Sequence, residues 1–318
     1  MKLKKAALLF HLLLISFLAS SQLVLGIAEE VSKKSATNFH ISQIIDSTTS
    51  TTIGRVFLAD KKRTMLVKIF TKADKYFTEF ARKLYVHQHA KDSIVLIINN
   101  LKLSESESED ILRGGVWLTI SYYLQHEGIQ TLLLNKTTSV IYKRTFGSAT
   151  PKSFEDLLAA AFTKNIDFFS SWKTLNHNYH PAFISKSEVI IQPRYLQNVE
   201  DTIYYNSRPI TWADFKGEPV NRGTKFAAAI FPNIAFDLEM EIKDRILKAY
   251  FTPKVYMVQG MSWVKANALD DYSLEHEKLH FDIANVAMNK MIKKITKIEA
   301  KTFDDLQSRI QYEYIEAY

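Results

Sequence analysis

The sequence predicts an α+β protein organised as two domains. Short apolar or alternating runs rich in β-branched residues recur through most of the chain, and they have the period of strands. Long helical patterns follow runs of strands instead of separating each pair, the order of an α+β layout. The first long helix stops at Asn176-His177-Asn178-Tyr179-His180-Pro181. That polar, proline-ended break places a domain boundary near residue 182.

Composition bounds the problem. With 318 residues, 47% apolar and 24% charged, the chain can bury a sizeable core and is not a disordered polymer. There is no cysteine, which excludes disulfides, thiolate metal sites and cysteine nucleophiles together. The formal charge is +7. Lys2, Lys4 and Lys5 belong to an N-terminal leader, and without them the charge falls to +4, too mild for nucleic acid or an anionic membrane to be the expected partner.

The leader spans residues 1–21: a basic start, an apolar run from Ala6 to Leu18, then small residues at Ala19-Ser20-Ser21. This is the order of a secretory signal peptide, so an exported protein, periplasmic or secreted, is expected. An uncleaved anchor is the alternative, because Gln22–Ile27 brings the stretch near spanning length. No other segment is expected to span a membrane. Residues 22–52 read as a polar tether. Residues 53–182 read as an α/β module, with strands at Ile53–Leu58, Met65–Ile69, Leu84–His89, Ile94–Leu101, Val116–Leu124 and Val140–Tyr142. Lys72–Lys83 fits a helix, Ser104–Asp110 a solvated acidic turn, and Ser153–Trp172 a strong amphipathic helix capped by Ser153.

Residues 183–318 form the second domain. Strands are expected at Val189–Ile191, Ala227–Ile230, Ile234–Ile242, Ile246–Tyr256 and Ser262–Lys265, with a turn at Lys243-Asp244. Two helices follow, Ser273 to about Ile295 and Phe303–Tyr318. The first carries His276-Glu277-Lys278-Leu279-His280. Histidines four apart stand one turn apart on one face, so both imidazoles can reach one ion. Glu277 lies between them, placed to take a proton from water activated by that ion. The motif points to Zn2+ held by His276 and His280, with Glu277 as general base. The histidine face continues through Ile283/Ala284, Ala287, Met291 and Ile295, which reads as the buried stripe. A pair of core histidines bonded to carboxylates or backbone is the structural alternative.

Zinc needs a third ligand. No histidine follows His280, and the downstream carboxylates include Glu299, Asp304, Asp305, Glu313 and Glu316. Glu299 stands slightly ahead of the others, nineteen residues beyond His280, similar to the spacing in thermolysin-like zincins. Trp212-Ala213-Asp214-Phe215-Lys216-Gly217 reads as structural: two aromatic anchors, a cap and a turn residue. His87 and His89 alternate on one strand face, where a solvated or core-edge role is expected over metal binding.

The second half resembles a bacterial family of secreted zinc-dependent proteases, zincin-like in fold and without an assigned substrate. The resemblance covers about residues 205–318. It rests on Pro209-Ile210-Thr211-Trp212-Ala213-Asp214-Phe215-Lys216-Gly217, Ala227-Ala228-Ala229, Ser262-Trp263-Val264 and His276–Ala284. It implies a metallohydrolase, a peptidase acting on peptide or protein, with His276 and His280 as zinc ligands, Glu277 as base and an antiparallel sheet above their helix. Ser262–Lys265 is then the expected edge for an extended substrate. In that family the last helix runs into a Tyr-Asp-x-x-Thr-x-His-Gly stretch that supplies a further candidate ligand. This sequence reaches only Tyr318, so no third ligand is assigned. Two alternatives stand beside the peptidase: a non-catalytic envelope binding or scaffold protein retaining a zincin fold, and an envelope assembly or transport accessory whose first domain carries the function.

Overall fold

The structure, a computed structural model, describes residues 22–28, 38–58, 63–85, 90–194, 199–219 and 225–318. The leader expected over residues 1–21 and the His87/His89 pair lie outside them. The protein is α+β, with four α-helices among the described residues. It divides into two compact units between Leu175 and Asn176, a few residues ahead of the break read at 182. No described helix is long and apolar enough to cross a membrane.

The first unit holds strands β1 (Gln22–Leu25), β2 (His40–Asp46), β3 (Thr52–Phe57), β4 (Thr64–Ile69), β5 (Ser93–Ser108), β6 (Ile111–His126) and β7 (Ile129–Thr145). Its helices are α1 (Ala73–Leu84) and α2 (Pro151–Asn176). One seven-stranded sheet runs β1-β4-β3-β5-β6-β7, with β2 also paired to β5. Strands β1 and β2 therefore fall inside the stretch expected to be tether. Their partners, Leu66–Ile69 and Ser93–Ile98, are distant in sequence, so neither strand has a local signal. Leu84 closes α1 instead of opening a strand. Thr150 takes the capping position expected for Ser153: its Oγ1 accepts the Ser153 N–H at 3.3 Å, and Pro151 begins the helix, where its missing N–H costs nothing.

Aromatic contacts bind both helices into one core. Phe77 of α1 stacks on Phe162 of α2 at 4.8 Å, and Phe169 of α2 stacks on Tyr122 of β6 at 4.0 Å. Gly54 lets β3 approach β5, since a Cβ there would lie 1.8 Å from the Leu103 carbonyl oxygen. The acidic run at Ser104–Asp110 is not a loop. It continues β5 to Ser108, and only Glu109-Asp110 turn, Glu109 with φ 59°. Alternating Ser and Glu has the strand period, and the charge of Glu105 is met from across the sheet. Glu105 accepts Arg144 Nε at 2.6 Å, Arg144 Nη2 at 2.7 Å, the Tyr142 hydroxyl at 2.7 Å and the Phe57 N–H at 2.9 Å.

The second unit holds β8 (Lys186–Ile191), β9 (Thr202–Tyr204), β10 (Ala228–Ala229), β11 (Pro232–Lys243), β12 (Ile246–Val258), β13 (Trp263–Val264), α3 (Asp271–Ile295) and α4 (Phe303–Ala317). Strands β11 and β12 form a long hairpin closed by Asp244-Arg245, both with positive φ (54° and 64°). That is the turn geometry that suits strand twist, one residue later than expected. The sheet is not wholly antiparallel. β9 runs antiparallel to β12, but β8 runs parallel to it, because β11 and not β8 feeds β12 and sets its direction. β10 and β13 pair separately as a two-stranded ladder.

Alternate residues of β12, including Leu247, Ala249, Phe251, Val255 and Met257, face a core completed by Phe281, Met288, Met291 and Ile295 of α3. Each of these side chains larger than alanine contributes roughly 1.5–3 kcal/mol. Leu306 and Ile310 of α4 complete the cluster, and the Tyr314 hydroxyl donates to the Ile234 carbonyl at 3.1 Å.

In the first unit, Glu105→Ala leaves the nearly buried Arg144 guanidinium without its carboxylate. The expected cost is about 3–5 kcal/mol, read as a lower midpoint in urea unfolding. A solvated turn, the sequence expectation, would give less than about 0.5 kcal/mol.

Candidate metal centre and its cleft

Helix α3 begins at an Asp270 cap, whose side chain accepts the Ser273 N–H at 2.8 Å. Its buried stripe is Glu277, Phe281, Met288, Met291 and Ile295. His276 and His280 each precede a member of that stripe by one residue, a rotation of about 100°. Both are exposed, and Ile283 is 63% exposed. Of the stripe read as buried, Met291 and Ile295 are in the core, but at the histidines the face is not the core face. It lines a cleft of about 730 Å³ walled by α3, residues 225–230, the start of β11 and the end of α4.

The two imidazoles converge. Nε2 of His276 and Nε2 of His280 are 3.3 Å apart, with the rings at 86°. One neutral ring can donate to the other across that distance. It is also the edge of a tetrahedron with metal–nitrogen bonds of about 2.0–2.1 Å. The donor pair thus fits zinc in element, spacing and access.

Glu277 is only 5% exposed. Its Oε2 accepts the Ile230 N–H at 2.7 Å, while Oε1 has no hydrogen-bond partner among the described residues. Ile230 follows β10, and the strand pattern explains why its N–H is available. Lys265 N–H donates to the Ala227 carbonyl at 2.9 Å on the β13 side. Alternate residues of a ladder turn their polar groups to opposite edges, so Ala228 and Ile230 address the other edge, that of the cleft. The strand lining the cleft is therefore β10. The expected edge, Ser262–Lys265, is its covered partner. Ser262 acts as a clasp instead: its Oγ accepts the Phe231 N–H at 2.9 Å and donates to the Val258 carbonyl at 2.7 Å. Backbone donors such as Ile230 leave no trace in a sequence, and only Ala227-Ala228-Ala229 marked the place.

Among the described residues no third His, Asp or Glu joins the pair. Glu299 is not brought to it. α3 continues fifteen residues past His280, a rise of about 22 Å, before the chain reaches the loop that holds Glu299. The histidines near the unit boundary have local roles. His180 Nδ1 accepts the Ala182 N–H at 3.2 Å, and burial lowers its pKa, which favours the neutral acceptor ring.

The Trp212–Gly217 cluster is built as a brace. Trp212–Asp214 form a 3-10 turn, with Trp212 and Phe215 in edge contact at 4.9 Å. Asp214 accepts Arg208 at 2.6 Å and the Thr211 N–H at 2.8 Å. Gly217 passes so close to Gly260 that a Cβ would lie 2.7 Å from its carbonyl oxygen. The Gly217 N–H donates to the Ser262 carbonyl at 2.8 Å, which ties the brace to the clasp. None of these brace residues lines the cleft.

No family model matches the sequence, and no curated relative matches it. Among solved structures, a Xanthomonas campestris protein described by the family model DUF330 is similar at 8% identity, covering 49% of this chain and 95% of that one, with a TM-score of 0.31. An uncharacterised protein aligns at 10% identity over 44% and 95%, TM-score 0.24. A minor lipoprotein from Acinetobacter baumannii aligns at 12% over 32% and 75%, TM-score 0.18.

Burial pushes the Asp214 carboxyl up, but hydrogen bonds from Arg208 and Thr211 outweigh it and hold its pKa below the usual value. A depressed carboxyl stabilises the fold above its unfolded pKa, and that contribution is lost as pH falls through the folded value. Asp214→Asn is expected to lower stability across neutral pH, and the difference from the parent should shrink below about pH 4. Thermal melts from pH 7 to pH 2.5 read it; a difference that stays constant throughout contradicts the ion-paired brace.

Proposed function

We propose that the second unit is a zinc metallohydrolase, a peptidase, of an exported protein. One observation carries the reading: two imidazole nitrogens 3.3 Å apart in an open cleft, beside a carboxylate with one oxygen held and the other without a partner among the described residues. His276 and His280 would hold the ion. When bound, zinc supplies Lewis acidity toward a carbonyl and toward water.

Glu277 takes and returns the proton. The Ile230 N–H fixes Oε2, so the carboxylate presents Oε1 in one orientation without a rotameric search. Proton acceptance at Oε1 from the attacking water, then delivery to the leaving amine, is general base followed by general acid action by one group. Ala228, with its polar groups on the cleft edge, can pair with an extended polypeptide and lay its peptide bond across the motif. The resemblance of residues 205–318 to zincin-like secreted proteases supports the same reading, and the leader pattern at residues 1–21 supports export.

The incomplete donor set among the described residues favours a second reading: a non-catalytic envelope binding or scaffold protein on the same fold. Zinc content and turnover separate the two. The peptidase should take up one zinc per chain, measured by atomic emission after dialysis against trace zinc. His276→Ala should lose most of that zinc. Glu277→Gln should keep it, yet cleave a quenched-fluorescent peptide mixture roughly 10²–10⁴-fold more slowly. A protein that binds zinc and cleaves equally well with Glu277→Gln is not this enzyme.

A further inference from the structure

Apart from the His-Glu-His motif, the cleft wall is mostly apolar. Ala228 belongs to β10 and Ile230 follows it, Ile234 comes from β11, and Ile283, Ala284 and Ala287 come from α3. Lys225 adds the one other charged group among the described lining residues, and Tyr272, Ser273 and Tyr318 add hydroxyls. Ala284 and Ala287 follow His280 by four and seven residues, so they continue its face of the helix. The room beside the imidazoles exists because both are alanine. Two larger apolar lining side chains stay in water: Ile283 is 63% exposed and Phe226 72% exposed.

A concave, apolar wall of this kind, with its few polar groups gathered at the motif, is the pattern of a site that buries apolar ligand surface. A polar side chain entering beside Ala284 and Ala287 gives up water without gaining a partner from them, whereas an apolar one exchanges water for contacts. Resting on the reading that the motif attacks a peptide bond, we propose that the cleft selects polypeptide segments with a bulky aliphatic or aromatic side chain next to the attacked bond. Ala228, Ala284 and Ala287 form the floor on which that side chain sits, and the segment's backbone runs along β10.

The test uses the full chain carrying Glu277→Gln and incubated with zinc, so that peptides bind without turnover. Fluorescein-labelled octapeptides identical except for one central Leu, Phe, Ser or Asp are titrated, and affinity is read by anisotropy. The Leu and Phe peptides should bind roughly ten- to a hundredfold more tightly than the Ser and Asp peptides. Adding Ala284→Phe should remove that preference while zinc content and circular dichroism stay unchanged. Ala287→Phe serves as a second filling variant if the first does not fold. Equal affinities, tightest binding of the Asp peptide at Lys225, or no binding by any peptide overturns the proposal. Selective binding with no cleavage of the Leu peptide by the parent protein keeps the selectivity and removes the hydrolase. Cleavage by the parent with no side-chain preference does the reverse.

Discussion

A carboxylate turned into a protein interior has to find a donor, and the second unit is organised around meeting that demand for Glu277. The Ile230 N–H, 47 residues earlier, meets it at 2.7 Å. Because Glu277 shares its stripe with Phe281, Met288, Met291 and Ile295, satisfying it fixes the rotation of α3 against the sheet. That rotation places His276 and His280 one residue off the core, on the cleft. The same bond fixes which edge of β10 addresses the helix. One interaction therefore sets the helix, the strand and the exposure of both imidazoles.

The bond is held from behind. Ser262 takes the next N–H, that of Phe231, and anchors it to Val258. Gly217, at the end of the Asp214 brace, bonds to the Ser262 carbonyl. The brace is therefore not a separate feature of the sequence. It supports the segment that supports Glu277, without reaching the cleft itself. The proposed chemistry would need a carboxylate in one orientation, and rigidity of this kind is what a catalytic base requires of its surroundings.

The first unit obeys the same rule for different ends. Asn165 is fully buried on α2 and accepts the Tyr122 hydroxyl at 2.7 Å while donating to the Leu118 and Lys136 carbonyls. Glu105, on a strand that reads as a turn, is answered by Arg144 and Tyr142. Buried polar groups with partners from distant strands specify one register of a long sheet, since a one-residue slip would leave each of them unpaired.

What the sequence by itself determined follows from local periodicity. The long helices, the β11–β12 hairpin, the break after Asn176 and the one-turn spacing of His276 and His280 all depend on residues near one another in the chain, and the structure has each of them. Non-local matters escaped it. The strands at 22–25 and 40–46 have partners far along the chain, Glu105 looks solvated until Arg144 arrives, and the face of α3 that is buried depends on a backbone N–H from β10. Helical spacing shows that two histidines share a face. It does not say what that face meets, because burial is decided by the segments that pack against it. Only the tertiary structure turned that face to an open cleft and placed Glu299, one of several carboxylates the sequence offered as a further ligand, beyond the far end of the helix.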